Sequence, residues 1–480
     1  MINLIPTPQK YEVLDAKYHA VNCAVYTDVS DWSDLVGAFC ESFEQIFEKA
    51  LPVAPDAGIL LVKDDTLAAN AYALDSTEGR LVIRAATREG VGYAFASVLQ
   101  LVQYQAGELR VQTLTVQDWP EKEFRSFMID VGSIWQPFDK MLKYVDLCYI
   151  FKINMLHLHI ADNERYSLPS KAFPKLPSER HYSYEQIAEL NRYAKARGVL
   201  LVPEFECPGH AEVLTRAYPE VFANHSDGEG GQFFNELGDP INAGALVCAG
   251  SEKAFEGVKT LIAEIVEMFP DAPYIHIGGD EAPCEMWDQC RDCRAYMEEH
   301  GIKSAHELYS EYVGRVAAYV LSLGKTPLVW EGFPKESSHY VPKETVVIAW
   351  ESHYQLPQDL LENGFKIVNA SWQPTYLVSS LTKRWGPKEL LDWNVYNWQH
   401  WWPNSVACLN PINLAPTDDL LGATMCTWGL YYEMHITRLL ENFPAFAERT
   451  WTVERKLSFA DFGTVFKGIM YRVVRLIMDR

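Results

Sequence analysis

From Phe124 onward the chain alternates short apolar, β-prone runs with stretches of helical period, and it does so eight times. The runs cover residues 126–131, 154–160, 199–205, 274–279, 327–331, 346–351, 366–371 and 421–427. Helical patterns separate most of them; one, over residues 258–269, sets Val258, Leu261, Ile262, Ile265, Val266 and Phe269 on a single stripe. Eight such units predict an α/β fold, a (β/α)8 TIM barrel with insertions, spanning residues 119–480. Residues 1–118 read as a separate small α/β domain, with helices near 31–50 and 89–104 and strands near 58–64 and 79–87. The boundary falls where the run 113–120 leads out through Pro120. A long connection near 372–420 has little helical periodicity and is rich in tryptophan, as a functional loop of a barrel would be.

A barrel of this kind gathers the residues that follow each strand on one rim. Those residues are Asp130, His159, Asp162, Glu204, Glu206, His210, Asp280, Glu281, Trp330, Glu331, Trp350, Glu351 and Trp428, so acids and tryptophans dominate. Ten of the 14 tryptophans lie at or beyond Trp330, and rings beside carboxylates suit a sugar, whose C–H faces stack while its hydroxyls hydrogen-bond. The fourth strand ends in Gly278-Gly-Asp-Glu281, delivering two acids beside two glycines that let a ligand approach the backbone. Successive strand residues point to opposite sides, so Asp280 and Glu281 are expected to divide their labour: one acid protonates a leaving group, the other orients or stabilises what lies beside it.

A formal net charge of −22 excludes nucleic acid and anionic membranes as partners, and leaves a neutral or cationic ligand. No apolar run is long enough to cross a bilayer, and residues 1–6 lack a basic segment followed by an apolar one, so a cytoplasmic protein is expected, or a secreted one trimmed of its signal. His157-Leu-His159 has the form of a metal pair, but the further histidines expected at later strand ends are missing. Cys290-Arg-Asp-Cys293 has metal or redox spacing without a second such pair, and the even count of ten cysteines does not establish a disulfide framework in a chain this long. The expectation is therefore no metal and no cofactor.

Several ordered motifs resemble glycoside hydrolase family 20, the β-N-acetylhexosaminidases. They are Gln117-Asp-Trp-Pro120, Arg125 with Asp130, the run from Lys152 to Asp162, Pro203-Glu204, Pro208-Gly-His210, His276-Ile-Gly-Gly-Asp-Glu281, Trp330-Glu331, Tyr376-Leu377 and Ala447-Glu-Arg-Thr-Trp451. The resemblance implies an exo-acting, retaining enzyme that removes terminal N-acetylglucosamine or N-acetylgalactosamine from a glycan or glycoconjugate through an oxazolinium intermediate. Glu281 would be the general acid and then base, and Asp280 would hold the 2-acetamido group. Asp162 and His210 would position and tune Glu281. Trp330, Trp350 and Trp428 would wall the acetamido pocket, Tyr376 would donate to its oxygen, Arg125 would grip ring hydroxyls, and Trp398 would be a stacking platform. The alternatives are a sugar-binding barrel without turnover, or a glycosidase of other specificity.

The sequence also departs from that family. Val378 stands where an Asp usually follows Tyr-Leu, and Leu430 where a Glu usually follows Trp-Gly. Ser133 replaces a frequent Arg, and Glu206 a frequent Asp. Losing the first two residues predicts relaxed reading of the 4- and 6-hydroxyls.

Overall fold

The computed structural model describes residues 2–77, 79–224, 233–234, 240–241, 246–378 and 385–478. Eight parallel strands form a closed barrel: β1 (Phe124–Asp130), β2 (Met155–His159), β3 (Leu200–Glu204), β4 (Tyr274–His276), β5 (Thr326–Trp330), β6 (Val346–Ala349), β7 (Lys366–Asn369) and β8 (Leu420–Trp428). β7 pairs with β8 and β8 with β1, which closes the ring. These strands are buried nearly throughout, because helices cover the outside and side chains fill the inside, so they read as unbroken apolar runs. The lower interior is filled by Phe124, Met128, Met155, Val202, Leu328, Val346, Ile348, Val368 and Leu421. Higher up, the inward positions turn polar and aromatic: His157 and His159 on β2, Glu204 on β3, His276 on β4 and Trp330 on β5. The floor of a site is thus built into the barrel's upper layer.

Each sequence run recovers its strand, with one informative difference. β4 stops at His276 instead of continuing to residue 279. Gly278 (φ 68°) and Gly279 (φ 88°) adopt left-handed backbone, which ends strand pairing. A Cβ at Gly278 would sit 1.9 Å from a carboxylate oxygen of Glu206, so any larger residue would have to displace that side chain.

Before the barrel, residues 10–118 form a mostly antiparallel sheet. Strands Lys10–Val21 and Glu108–Asp118 pair at one side, followed by Tyr72–Asp75, Leu81–Ala85, Ile59–Lys63 and Val25–Tyr26. Helix Arg88–Leu101 has no charged residue after Glu89, and its side chains are buried almost throughout. That follows from its place between this sheet and the barrel helices Phe138–Ile150 and Phe459–Ile477. Helix Ser33–Phe47 packs beside it, with Phe39 stacked on Phe95 at 4.3 Å.

At the junction Lys152 and Asp118, both wholly buried, pair at 2.9 Å. Asp118 also accepts hydrogen bonds from Tyr72 Oη (2.6 Å) and Trp451 Nε1 (2.9 Å). Among the described residues no helix is long and apolar enough to cross a membrane.

Candidate active site

The C-terminal ends of the strands enclose a cavity of about 190 Å³ lined by His159, Asp162, Glu206, His210, Asp280, Glu281, Trp330, Trp350, Trp372, Tyr376, Val378 and Trp428. Its lining of aromatic rings with a few convergent carboxylates suits a sugar. The two acids after β4 both reach it, and one oxygen of each lies within 4.8 Å of the other and of a His210 nitrogen. Strict strand alternation would have pointed them apart. It does not apply past His276, because the left-handed turn at Gly278 and Gly279, continued by Glu281 at φ 44°, swings both side chains to one side.

Asp280 is 8% exposed, and its Oδ1 has no hydrogen-bond partner in the protein. Burial pushes its carboxyl up to about 7, helped by the charges of Glu281 and Glu204 and opposed by His210. Beneath it Glu206 is buried too, and its carboxyl is held well above the usual range by burial and by Asp280 and Glu204. Glu281 is more open. His210, also at positive φ (49°), brings Nε2 to 3.4 Å from Glu281 Oε2, while its Nδ1 lies 2.9 Å from Asp162 Oδ1. Two non-glycine residues in left-handed backbone thus face each other across the cavity, the kind of strain that collects at functional sites. Burial alone would keep His210 neutral, but the carboxylates of Asp162, Glu281 and Asp280 override it and hold its pKa well above the ordinary imidazole value. The result is a relay from Asp162 through a protonated imidazole to Glu281.

The floor is a second charge network centred on Glu204. Its carboxylate meets His159 Nδ1 at 2.7 Å, His157 Nε2 at 3.0 Å and His276 Nδ1 at 3.0 Å, and accepts a hydrogen bond from Trp330 Nε1. Burial opposes the charge, but the three imidazoles hold Glu204 ionised, with its pKa well below the usual value. Burial pushes His276 down to about 4 against the pull of Glu204. His157 and His159 both meet the Glu204 carboxylate, and His159 Nε2 also lies 3.5 Å from Asp162 Oδ2.

The aromatic wall is locked ring by ring. Trp350 Nε1 donates to Glu331 O (2.8 Å), and Trp330 meets Trp350 edge-on at 6.4 Å. Tyr376 stacks between Trp350 (6.4 Å) and Trp372 (4.3 Å), and Trp428 packs edge-on to His159 at 4.7 Å. The Glu331 carboxylate in turn accepts backbone N–H groups of Ser352, His353, Tyr354 and Gln355, at 2.9 to 3.3 Å, and so fixes the loop that follows Trp350.

Two residues assigned from sequence lie elsewhere. Arg125 is 1% exposed near the start of β1, at the opposite end of the barrel. Its guanidinium donates to Lys122 O (2.6 Å), Lys152 O (3.0 and 3.1 Å) and Tyr93 Oη (2.8 Å), and lies over the Trp451 ring at 4.9 Å. Five positions before the rim residue Asp130, it has the outward parity of the strand, so it braces the barrel against the N-terminal domain and cannot touch a sugar in the cavity. Trp398 is fully buried, donates Nε1 to Ala349 O at 2.9 Å and does not line the cavity. Conversely, Trp372 lines the cavity and was missed; its position four residues before Tyr376, at the head of the tryptophan-rich connection, was the available signal. Residues 379–384 of that connection lie outside the described residues. Val378 lines the cavity, whereas Leu430 is buried beside it with its carbonyl bonded to Gln136.

Residues 123–454 match the family profile "Glycosyl hydrolase family 20, catalytic domain", and residues 1–119 match "Glycosyl hydrolase family 20, domain 2". A β-hexosaminidase of Akkermansia muciniphila is 30% identical over 330 residues, covering 65% of this chain and 65% of that protein. One from Vibrio furnissii is 25% identical over 418 residues, covering 82% of this chain and 66% of that protein. The chain thus spans just under two thirds of the length of these relatives. In fold it is similar to an exo β-N-acetylglucosaminidase of Vibrio harveyi, with a TM-score of 0.82, 22% identity and coverage of 98% of this chain and 77% of that one. A β-N-acetylhexosaminidase of Bacteroides fragilis gives a TM-score of 0.81 at 23% identity, covering 98% and 96%. With its catalytic-domain match spanning more than half its length, the chain belongs to glycosyl hydrolase family 20.

Proposed function

We propose that this protein is an exo-acting, retaining β-N-acetylhexosaminidase that uses the substrate's own 2-acetamido group as nucleophile. The observation that carries this reading is Asp280: a buried carboxylate with an unpaired oxygen, set in a cavity walled by Trp330, Trp350 and Trp428. An amide N–H from the ligand would satisfy that oxygen, and the apolar wall would hold the acetamido methyl and strip water from its carbonyl. Glu281, the more open acid, protonates the glycosidic oxygen as the acetamido carbonyl oxygen attacks the anomeric carbon. The C–O bond to the leaving group breaks and an oxazolinium forms, whose charge Asp280 stabilises and whose N–H it accepts. Tyr376 donates to the carbonyl oxygen and orients it. Glu281, returned to its carboxylate, then takes a proton from the water that opens the ring with net retention. The Asp162–His210 relay holds Glu281 in place through both steps.

The described wall offers few groups to read the outer hydroxyls. It contains no arginine or lysine, and Val378 presents only methyls to the cavity. Arg125 is out of reach, and Ser133 is bonded to Asp130 through both its amide (2.8 Å) and its hydroxyl. This supports tolerance of both gluco and galacto N-acetyl sugars. The test is a panel of paired aryl β-glycosides. Hydrolysis of the N-acetylglucosaminide and N-acetylgalactosaminide at rates within roughly a hundredfold, with the glucoside inert, is the expected result. Turnover of the glucoside would refute the internal nucleophile, and a preference beyond that range would refute the relaxed reading.

A further inference from the structure

The proposed chemistry makes no use of three buried cysteines packed outside the cavity. Cys248 comes from the segment after the third barrel strand, and Cys290 and Cys293 from the start of helix Arg291–His300, which follows the fourth. Their sulfurs converge: Cys248 Sγ lies 3.6 Å from Cys290 Sγ and 3.7 Å from Cys293 Sγ, and all three fall within 4.8 Å of one another. These are not disulfides, whose sulfurs are bonded at about 2.05 Å. They are the separations of a tetrahedral thiolate site: zinc–sulfur bonds of about 2.3 Å place neighbouring sulfurs about 3.8 Å apart.

Apolar packing of three thiols would explain contact, but it leaves two other features without a reason. Cys290-Arg-Asp-Cys293 opens a helix, so both sulfurs project to one side of its first turn. The amide of Gly250 donates to Cys293 Sγ at 3.4 Å, as a backbone N–H does to a thiolate. Gly250 is required for this approach, since a Cβ there would lie 2.4 Å from Asp292 O and 2.5 Å from Cys293 Cα.

We infer that Cys248, Cys290 and Cys293 form a metal site for a thiophilic divalent cation, zinc by size and geometry, bound through three thiolates. Three S–H protons pass to solvent as three sulfur–metal bonds form, with no change of oxidation state. The fourth position falls to a water molecule. The site is structural, and its placement says what it holds. Val247 N donates to Pro208 O (2.9 Å), two residues from His210, and Trp287 Nε1 donates to Val247 O (3.0 Å) from the short helix Cys284–Gln289 that follows Glu281. A metal here would clamp together the two loops that carry His210 and Glu281. The sequence shows only the Cys-x-x-Cys pair, because Cys248 lies 42 residues before Cys290 and only the fold brings it close.

The test uses the full chain purified without metal-affinity steps from zinc-supplemented medium. Elemental analysis should find one zinc per chain, lost in Cys290→Ser and Cys293→Ser and retained in Cys408→Ser, a cysteine outside the cluster. Should the serine variants fail to fold, cobalt exchanged into the unaltered protein decides the question. Thiolate-to-cobalt charge-transfer absorption with intense tetrahedral d–d bands supports the site. A cobalt spectrum without charge transfer places the metal on histidines and carboxylates and overturns it. Metal-free protein whose ten thiols all react once unfolded would overturn it too, as would an intact mass short of two hydrogens, which would mean a disulfide.

Discussion

At the scale of single residues, the proposed chemistry and the stability of the fold pull in opposite directions at Asp280. Its carboxyl is pushed up to about 7 by burial and neighbouring charge, against about 4 in an unfolded chain. Between those values the folded state keeps a proton that the unfolded state has released, so stability falls as pH rises from about 4 to 7 and the full penalty is present above 7. Asp280→Asn removes the titration. It should raise the unfolding free energy relative to the unaltered protein at pH 8, by on the order of a few kcal/mol that shrinks towards pH 4, and Tm with it, while cutting kcat roughly 10²–10³-fold. Thermal melts of both proteins across that range, with rates at one pH, check both halves. The pair Asp280-Glu281 was legible in the sequence because two glycines and two acids after an apolar run have few other uses. Arg125 misled because its role was carried over from the resemblance without counting parity to Asp130. The unpaired oxygen of Asp280 and the Glu204 network were not legible, since both depend on which rings and imidazoles the barrel brings together.

At the scale of elements, the barrel strands were legible because burial on both faces leaves each as a continuous apolar run. The long strands Lys10–Val21 and Glu108–Asp118 were not read as a pair. Most of the first is exposed, so it carries little alternation, and its partner lies some ninety residues downstream. The loop after β6 shows how one element serves the cavity: Glu331, just past the end of β5, collects four of its amides and so holds Trp350 against Tyr376. In Glu331→Gln one side-chain amide must face those donors, and the loop should loosen. The expected outcome is a loss of ~1–3 kcal/mol of stability together with a raised KM for acetamido sugars, read by denaturant titration and steady-state kinetics. An unchanged KM would mean that Trp350 needs no such support.

Across the whole molecule, the N-terminal domain and the barrel share buried polar groups as well as apolar surface. Lys152 leaves the barrel side to meet Asp118 and Tyr72, while Arg125 reaches Tyr93 and Thr7 N donates to Glu448 at 2.7 Å. Removing the cation from such a pair strands a buried carboxylate, so Lys152→Met should cost ~3–5 kcal/mol, and Lys152→Met with Asp118→Asn should recover part of it. The two domains should melt in one transition that this variant shifts as a unit. Two separated transitions in calorimetry would show that the junction does not couple them.

The central claim is that the nucleophile belongs to the substrate, and the most direct measurement is a series of aryl glycosides whose N-acetyl group carries zero, one, two or three fluorines. Each fluorine weakens the carbonyl oxygen as a nucleophile while leaving the sugar and leaving group alone. kcat/KM should fall steeply and monotonically along the series. A flat series would contradict it, and would make Asp280 or Glu281 itself the group that attacks.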